Sequence, residues 1–160
     1  MQEYEKAEKA FSEALEIRRK LAQSNPVAFE PNVAITLHNL GILYRDIKEY
    51  EKAENASLEA LKIRIKYLSN QPHTWNEVVK LYLLLAIIYQ NLEKKFHALG
   101  CVKWGLVILL LHCNSQEQAN TYINYGRDIV NYYGLDYEKF WNEEVVSEVH
   151  KIRKGGSTNQ

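Results

Sequence analysis

The sequence is poor in helix breakers: its 160 residues hold only three prolines and seven glycines. With Leu, Ala, Glu and Lys abundant, that scarcity favours helix throughout. Cysteine is also scarce. Cys101 and Cys113 fall within or just after one expected helix, roughly 18 Å apart at ~1.5 Å per residue. That is too far to bridge, so a disulfide framework is excluded and a reducing compartment is expected. Net charge is missing too. Twenty basic and twenty acidic residues cancel, which removes the basic surface that non-specific nucleic-acid binding relies on. The N-terminus, MQEYEKAEKAF, is charged where a signal segment would be apolar. The most apolar runs, Leu81 to Tyr89 and Val102 to Leu111, fall short of the ~20 residues of a membrane span. The expectation is a cytoplasmic chain with no membrane and no nucleic-acid partner.

Catalytic signatures are absent as well. The chain has no G-x-S-x-G, H-E-x-x-H, paired C-x-x-C or strand-turn-helix glycine loop. His97, Cys101, His112 and Cys113 lie along a single helix, which cannot bend to gather them round a metal. Neither an enzyme activity nor a cofactor or metal is expected. Asn55-Ala56-Ser57 matches a glycosylation sequon but falls inside a helical pattern, and carries no weight.

What is present is amphipathic helix, in order. Residues 3–23 place Tyr4, Ala7, Phe11, Ala14, Leu15, Ile17 and Leu21 on one broad face. Asn25-Pro26 stops that helix, and a short linker leads to Pro31 in the first turn of the next. Further helices are expected to about Asp46, to about Ser69, over 75–92 and over 94–113. Thr74-x-x-Glu77 and Ser115-x-x-Gln118 read as caps. The next helix ends near Tyr133 with Gly134 as its left-handed cap, and Asp136 starts the last, to about Arg153. The helix over 94–113 is apolar nearly all round, so the C-terminal helices, or else a partner, should cover it. Gly100 and Gly105 inside it imply close helix contact.

The organising stretch is Val33 to Leu68, VAITLHNLGILYRDIKEYEKAENASLEALKIRIKYL. Its second half repeats residues 3–21 at a shift of 46: Tyr4/Tyr50, Ala7/Ala53, Ala14/Ala60, Leu15/Leu61, Ile17/Ile63 and Arg18/Arg64. Its first half recurs at a shift of 45, Leu37-x-x-Leu40-Gly41-x-x-Tyr44 becoming Tyr82-x-x-Leu85-Ala86-x-x-Tyr89. A weaker echo is Tyr122-x-x-Tyr125-Gly126-x-x-Ile129. One domain over 1–153 follows: a half repeat (3–23), two repeats (31–69 and 74–113) and a degenerate capping pair (115–153), then a disordered tail (154–160).

The spacing large-x-x-Leu-Gly-x-x-Tyr followed by Ala53, and its copy ending in Ala98, resembles the tetratricopeptide repeat. TLHNLGILY and ALEIRRKL resemble the kinesin-light-chain type found in bacterial multi-repeat proteins. Ser57 and Val102 depart from the pattern, standing where an aromatic is usual. The resemblance implies an all-α, right-handed superhelical solenoid of about seven antiparallel helices. Because the chain opens on a second helix, it also suggests the C-terminal portion of a longer array.

In this family the first helices of successive pairs line a concave groove for a peptide. That face maps onto Ile35, His38, Asn39, Ile42 and Arg45, then Lys80, Leu83, Leu84, Ile87 and Asn91, then Asn120, Asn124 and Arg127. The implied function is a non-enzymatic scaffold for a protein or peptide, with Arg45 and Lys80 favouring an acidic ligand and the Asn39 amide gripping ligand backbone. The bland reading of the same face is a solvated helix surface. Self-association, as a homodimer through the first helix and helix 94–113, and an accessory domain of a larger signalling protein are the alternatives.

Overall fold

In the computed structural model the described residues are 2–155, the side chain of Pro72 excepted. They form α1 (Gln2–Ser24), α2 (Pro26–Asp46), α3 (Tyr50–Leu68), a 3-10 turn (Pro72–Thr74), α4 (Trp75–Asn91), α5 (Lys95–His112) and α6 (Gln116–Tyr132). A last helical run joins α7 (Tyr137–Phe140), a π-helical stretch (Trp141–Val146) and α8 (Ser147–Gly155). Among the described residues there is no strand, and neighbouring helices pack consecutively in an all-α, tetratricopeptide-like fold. Contacts divide the chain into two compact units, the boundary falling after Glu77 inside α4.

In the first unit α2 packs against both α1 and α3. Its Val33, Ala34, Leu37, Leu40 and Leu43 are buried, with Ala53, Ala56, Ala60, Leu61 and Tyr67 of α3. Two alanines of α3, Ala53 and Ala60, are fully inaccessible (0%), as expected where small side chains let backbones approach. The expected linker before Pro31 is instead helix. Asn25 is the N-cap (φ −145°), its Oδ1 accepting from the Ala28 amide at 3.2 Å, and Pro26 takes the first turn. Pro31 then lies inside α2 and leaves one carbonyl without its helical donor.

The repeat is written in the backbone as well as the side chains. α2 ends with Lys48 in the left-handed region (φ 63°), and the Glu49 amide reaches the Tyr44 carbonyl at 2.8 Å. Forty-five residues on, Glu93 (φ 57°) and the Lys94 amide to the Tyr89 carbonyl at 2.9 Å repeat it. Gly134 (φ 70°), with Leu135 bonded to Val130, does so a third time, where the sequence places a left-handed cap.

In the second unit α5 packs on α6, the π stretch and α8. Val130, Phe140, Val145 and Val149 are buried there, while Tyr133, Trp141 and Val146 are half-buried. The C-terminal helices therefore cover α5, as its all-round apolarity requires. By length and composition alone α5 does suffice to cross a membrane, which corrects the sequence estimate. That estimate counted uninterrupted runs, whereas an 18-residue helix tolerates a lysine. Ala98, Val102, Leu106, Val107 and Leu109 are buried against protein. The Ser115 and Asp136 caps form, their side chains accepting from the Gln118 and Lys139 amides. Thr74 donates its hydroxyl to the Gln71 carbonyl, closing the 3-10 turn. Of the tail expected over 154–160, Lys154 and Gly155 are helical and close α8, and 156–160 lie outside the described residues.

Candidate functional site

The face of α2 turned away from the core carries Ile35, His38, Asn39, Ile42 and Arg45. Ile35 is exposed and the other four are half-buried. Neighbouring helices hold this face out from both ends. From α1, the Arg18 guanidinium donates to the Asn32 carbonyl at 3.1 Å and to the Thr36 hydroxyl. From α3, Lys66 and Tyr67 both reach the Glu30 carboxylate, at 2.7 and 2.8 Å. The Lys66 hydrogen bond holds that carboxyl below its usual range.

At the C-terminal end of α2 the Tyr44 hydroxyl donates to Glu8 at 3.0 Å. Burial first, and then the Glu8 carboxylate, push this phenol up to about 12. A phenol raised in the folded state contributes stability that is complete below the unfolded value of about 10 and lost as pH rises through about 12. Tyr44→Phe should therefore lower stability by about 1 kcal/mol at pH 7 and flatten the alkaline loss between those limits. Urea titrations from pH 7 to 11.5, read beside phenolate absorbance, check this. An unchanged alkaline limb in the variant would remove Tyr44 as its source.

The candidate polar groups differ in their freedom. Arg45 turns onto Asp46, donating through two nitrogens at 2.9 and 2.7 Å. The Asn39 amide, by contrast, has no hydrogen-bond partner among the described residues. Near this end, Tyr4, Glu5, Glu8, Asp46, Ile47 and Glu49 line an open cleft of about 460 Å³. The local field there is acidic.

In the second unit Lys80 and Asn91 are exposed and Leu83 and Ile87 half-buried. The Asn91 amide bonds back to the Ile87 carbonyl at 2.8 Å. Leu84 is 3% exposed, so it belongs to the core and does not line the face. Helical spacing alone could not tell, because that position lies on the flank of the outward stripe. On α6, Asn120, Asn124 and Arg127 are exposed, and Arg127 donates to Asn124 at 3.3 Å.

Arg127 also lies 5.1 Å from the Tyr137 ring centre, and burial pushes that phenol up. With Ile123, Trp141 and Asn142 these residues line a cleft of about 600 Å³. From the sequence, the C-terminal helices are expected only to cover α5, with no cleft among them. The i, i+4 pair Tyr137 and Trp141, just after the Asp136 cap, was the available signal. Among the described residues no three His, Cys, Asp or Glu side chains are grouped to hold a metal.

Residues 1–66 match the family model described as the tetratricopeptide repeat. No curated protein and no solved structure matches the chain.

Proposed function

From the premise that the chain is a tetratricopeptide-repeat protein, we propose that it is a non-enzymatic scaffold whose first helices bind an extended peptide or protein segment. Repeats of this family generally mediate protein–protein interaction. The observation that carries the reading is the Asn39 amide, half-buried between Ile35 and Ile42 with no partner among the described residues. An amide there can donate to one ligand backbone group and accept from another, while the two isoleucines supply apolar contact.

In the second unit, taken by itself, Leu83 and Ile87 on α4 are half-buried and would offer apolar contact of the same kind. An acidic ligand would have to compete with Asp46 for Arg45. The Leu84 position adds nothing to the binding face.

Asn39→Ala should weaken ligand binding by about tenfold, the scale of losing one or two well-placed hydrogen bonds, with the melting temperature unchanged. A ligand recovered by pull-down and then titrated calorimetrically against both proteins decides this. Equal affinities would sink the reading. Arg45→Ala should do less, because its guanidinium already has a carboxylate.

A further inference from the structure

The first unit holds another recess, none of whose walls belongs to the Asn39 face. Residues of α1, α2 and α3 line it, and it is open, with a volume of about 710 Å³. Its apolar part is Val33, only 3% exposed, with Ala22 and Ile63 half-buried. Round these stand three cations, Arg19, Lys62 and Lys66, and two carboxylates, Glu30 and Glu59.

The donors exceed what the carboxylates engage. Arg19 uses only Nη2, which donates to both Glu59 oxygens at 2.7 and 2.6 Å. Its Nε and Nη1 have no hydrogen bond among the described residues. Lys66 donates to Glu30 at 2.7 Å, and Tyr67 donates to the same oxygen at 2.8 Å. Lys62 has neither hydrogen bond nor ion pair among the described residues. The recess therefore carries surplus positive charge beside an apolar surface.

This charge is not part of the repeat. At the shift of 46 Arg19 becomes Ile65, and at the shift of 45 Glu59, Lys62 and Lys66 become Trp104, Val107 and Leu111. Residues that let the helices approach do recur, as Ala53 does in Ala98. Stacking of the helices does not require the charged set.

We infer that the recess binds a small organic anion with an apolar body, a carboxylate or sulfonate on a hydrocarbon chain or ring. Lys62 and the free edge of Arg19 meet the anionic group, and Val33, Ala22 and Ile63 take the hydrocarbon. A cationic ligand of the same shape would meet like charge. Glu59 holds one side of Arg19, so it competes with the ligand for that guanidinium.

The probe is anilinonaphthalene sulfonate, an anion on an apolar ring system, titrated into the full chain by fluorescence at low salt. Saturable binding is expected, weakened about tenfold by Lys62→Glu and tightened several-fold by Glu59→Gln. Both positions are exposed, and thermal melts check that each variant folds. Should Glu59→Gln melt early, Lys62→Glu decides alone. Octanoate should displace the dye, and octylammonium, the same chain with the opposite charge, should not. Absence of saturable binding, affinity indifferent to Lys62→Glu, or equal displacement by both chains overturns the inference. So does loss of dye binding in Asn39→Ala, which would place the dye on α2.

Discussion

Replacing Gly105 by leucine should destabilise the second unit by about 3 kcal/mol, at the upper end of what overpacking a core costs. A Cβ built at Gly105 lies 3.2 Å from the Tyr82 Cβ. That neighbour is fixed to the backbone of α4 and cannot rotate away, so the helix itself must move. Gly100, five residues earlier in α5, has nothing within 4 Å of an added Cβ. Gly100→Ala should therefore stabilise by about 1 kcal/mol, the helix-propensity difference. Both glycines suggest close contact when only the sequence is read, and the structure separates them. Urea unfolding of the two variants beside the parent measures the contrast. Equal stability for Gly105→Leu would mean that α4 and α5 do not approach as described.

The second large effect belongs to Arg18. Its guanidinium ties α1 to α2 through the Asn32 carbonyl and the Thr36 hydroxyl, and Thr36 is only 1% exposed. Arg18→Ala should lower stability by about 2 kcal/mol, as for hydrogen bonds made by a charged donor. The loss is moderated because the Thr36 hydroxyl still donates to the Asn32 carbonyl at 3.0 Å. A double-mutant cycle with Thr36→Val isolates the shared part, expected at about 1 kcal/mol. Strict additivity would assign the loss to the packing of the arginine stem. Arg64, the same residue one repeat later, is 8% exposed and has the Glu77 carboxylate in its surroundings. The site of Glu77 is that of Asn32 shifted by 45. The arginine thus recurs near the corresponding position of the following helix, there with a carboxylate in its field.

Helix order and most helix ends were legible because period, caps and punctuation agree along this chain. Asn25-Pro26 ends α1 as expected, but the start of α2 lies at Pro26 rather than near Pro31, for a local reason. Two prolines five apart can each occupy a first turn, and the deciding feature was the Asn25 side chain, which caps the helix that Pro26 opens. The candidate face of α2 came from the family resemblance. The state of each residue on it was not, since that depends on neighbours periodicity does not describe. Leu84 is buried although it shares the spacing of Asn39. Arg45 pairs with Asp46, an adjacent residue that would not face it within a regular helix; both stand at the helix end.

The π-helical stretch has a consequence for how the C-terminal run tolerates its own sequence. Phe140, Val145 and Val149 are all buried, at gaps of five and then four. In an unbroken α-helix the residue four beyond Phe140 is Glu144, whose carboxylate would be turned into the core. The wider turn absorbs one residue, and Glu144 instead meets Lys103 at 3.1 Å, beside Glu148 at 3.3 Å. It acts as a local frame correction. An extra residue that would rotate every later side chain by about 100° is contained within Trp141–Val146, and the valines downstream stay in phase with α5.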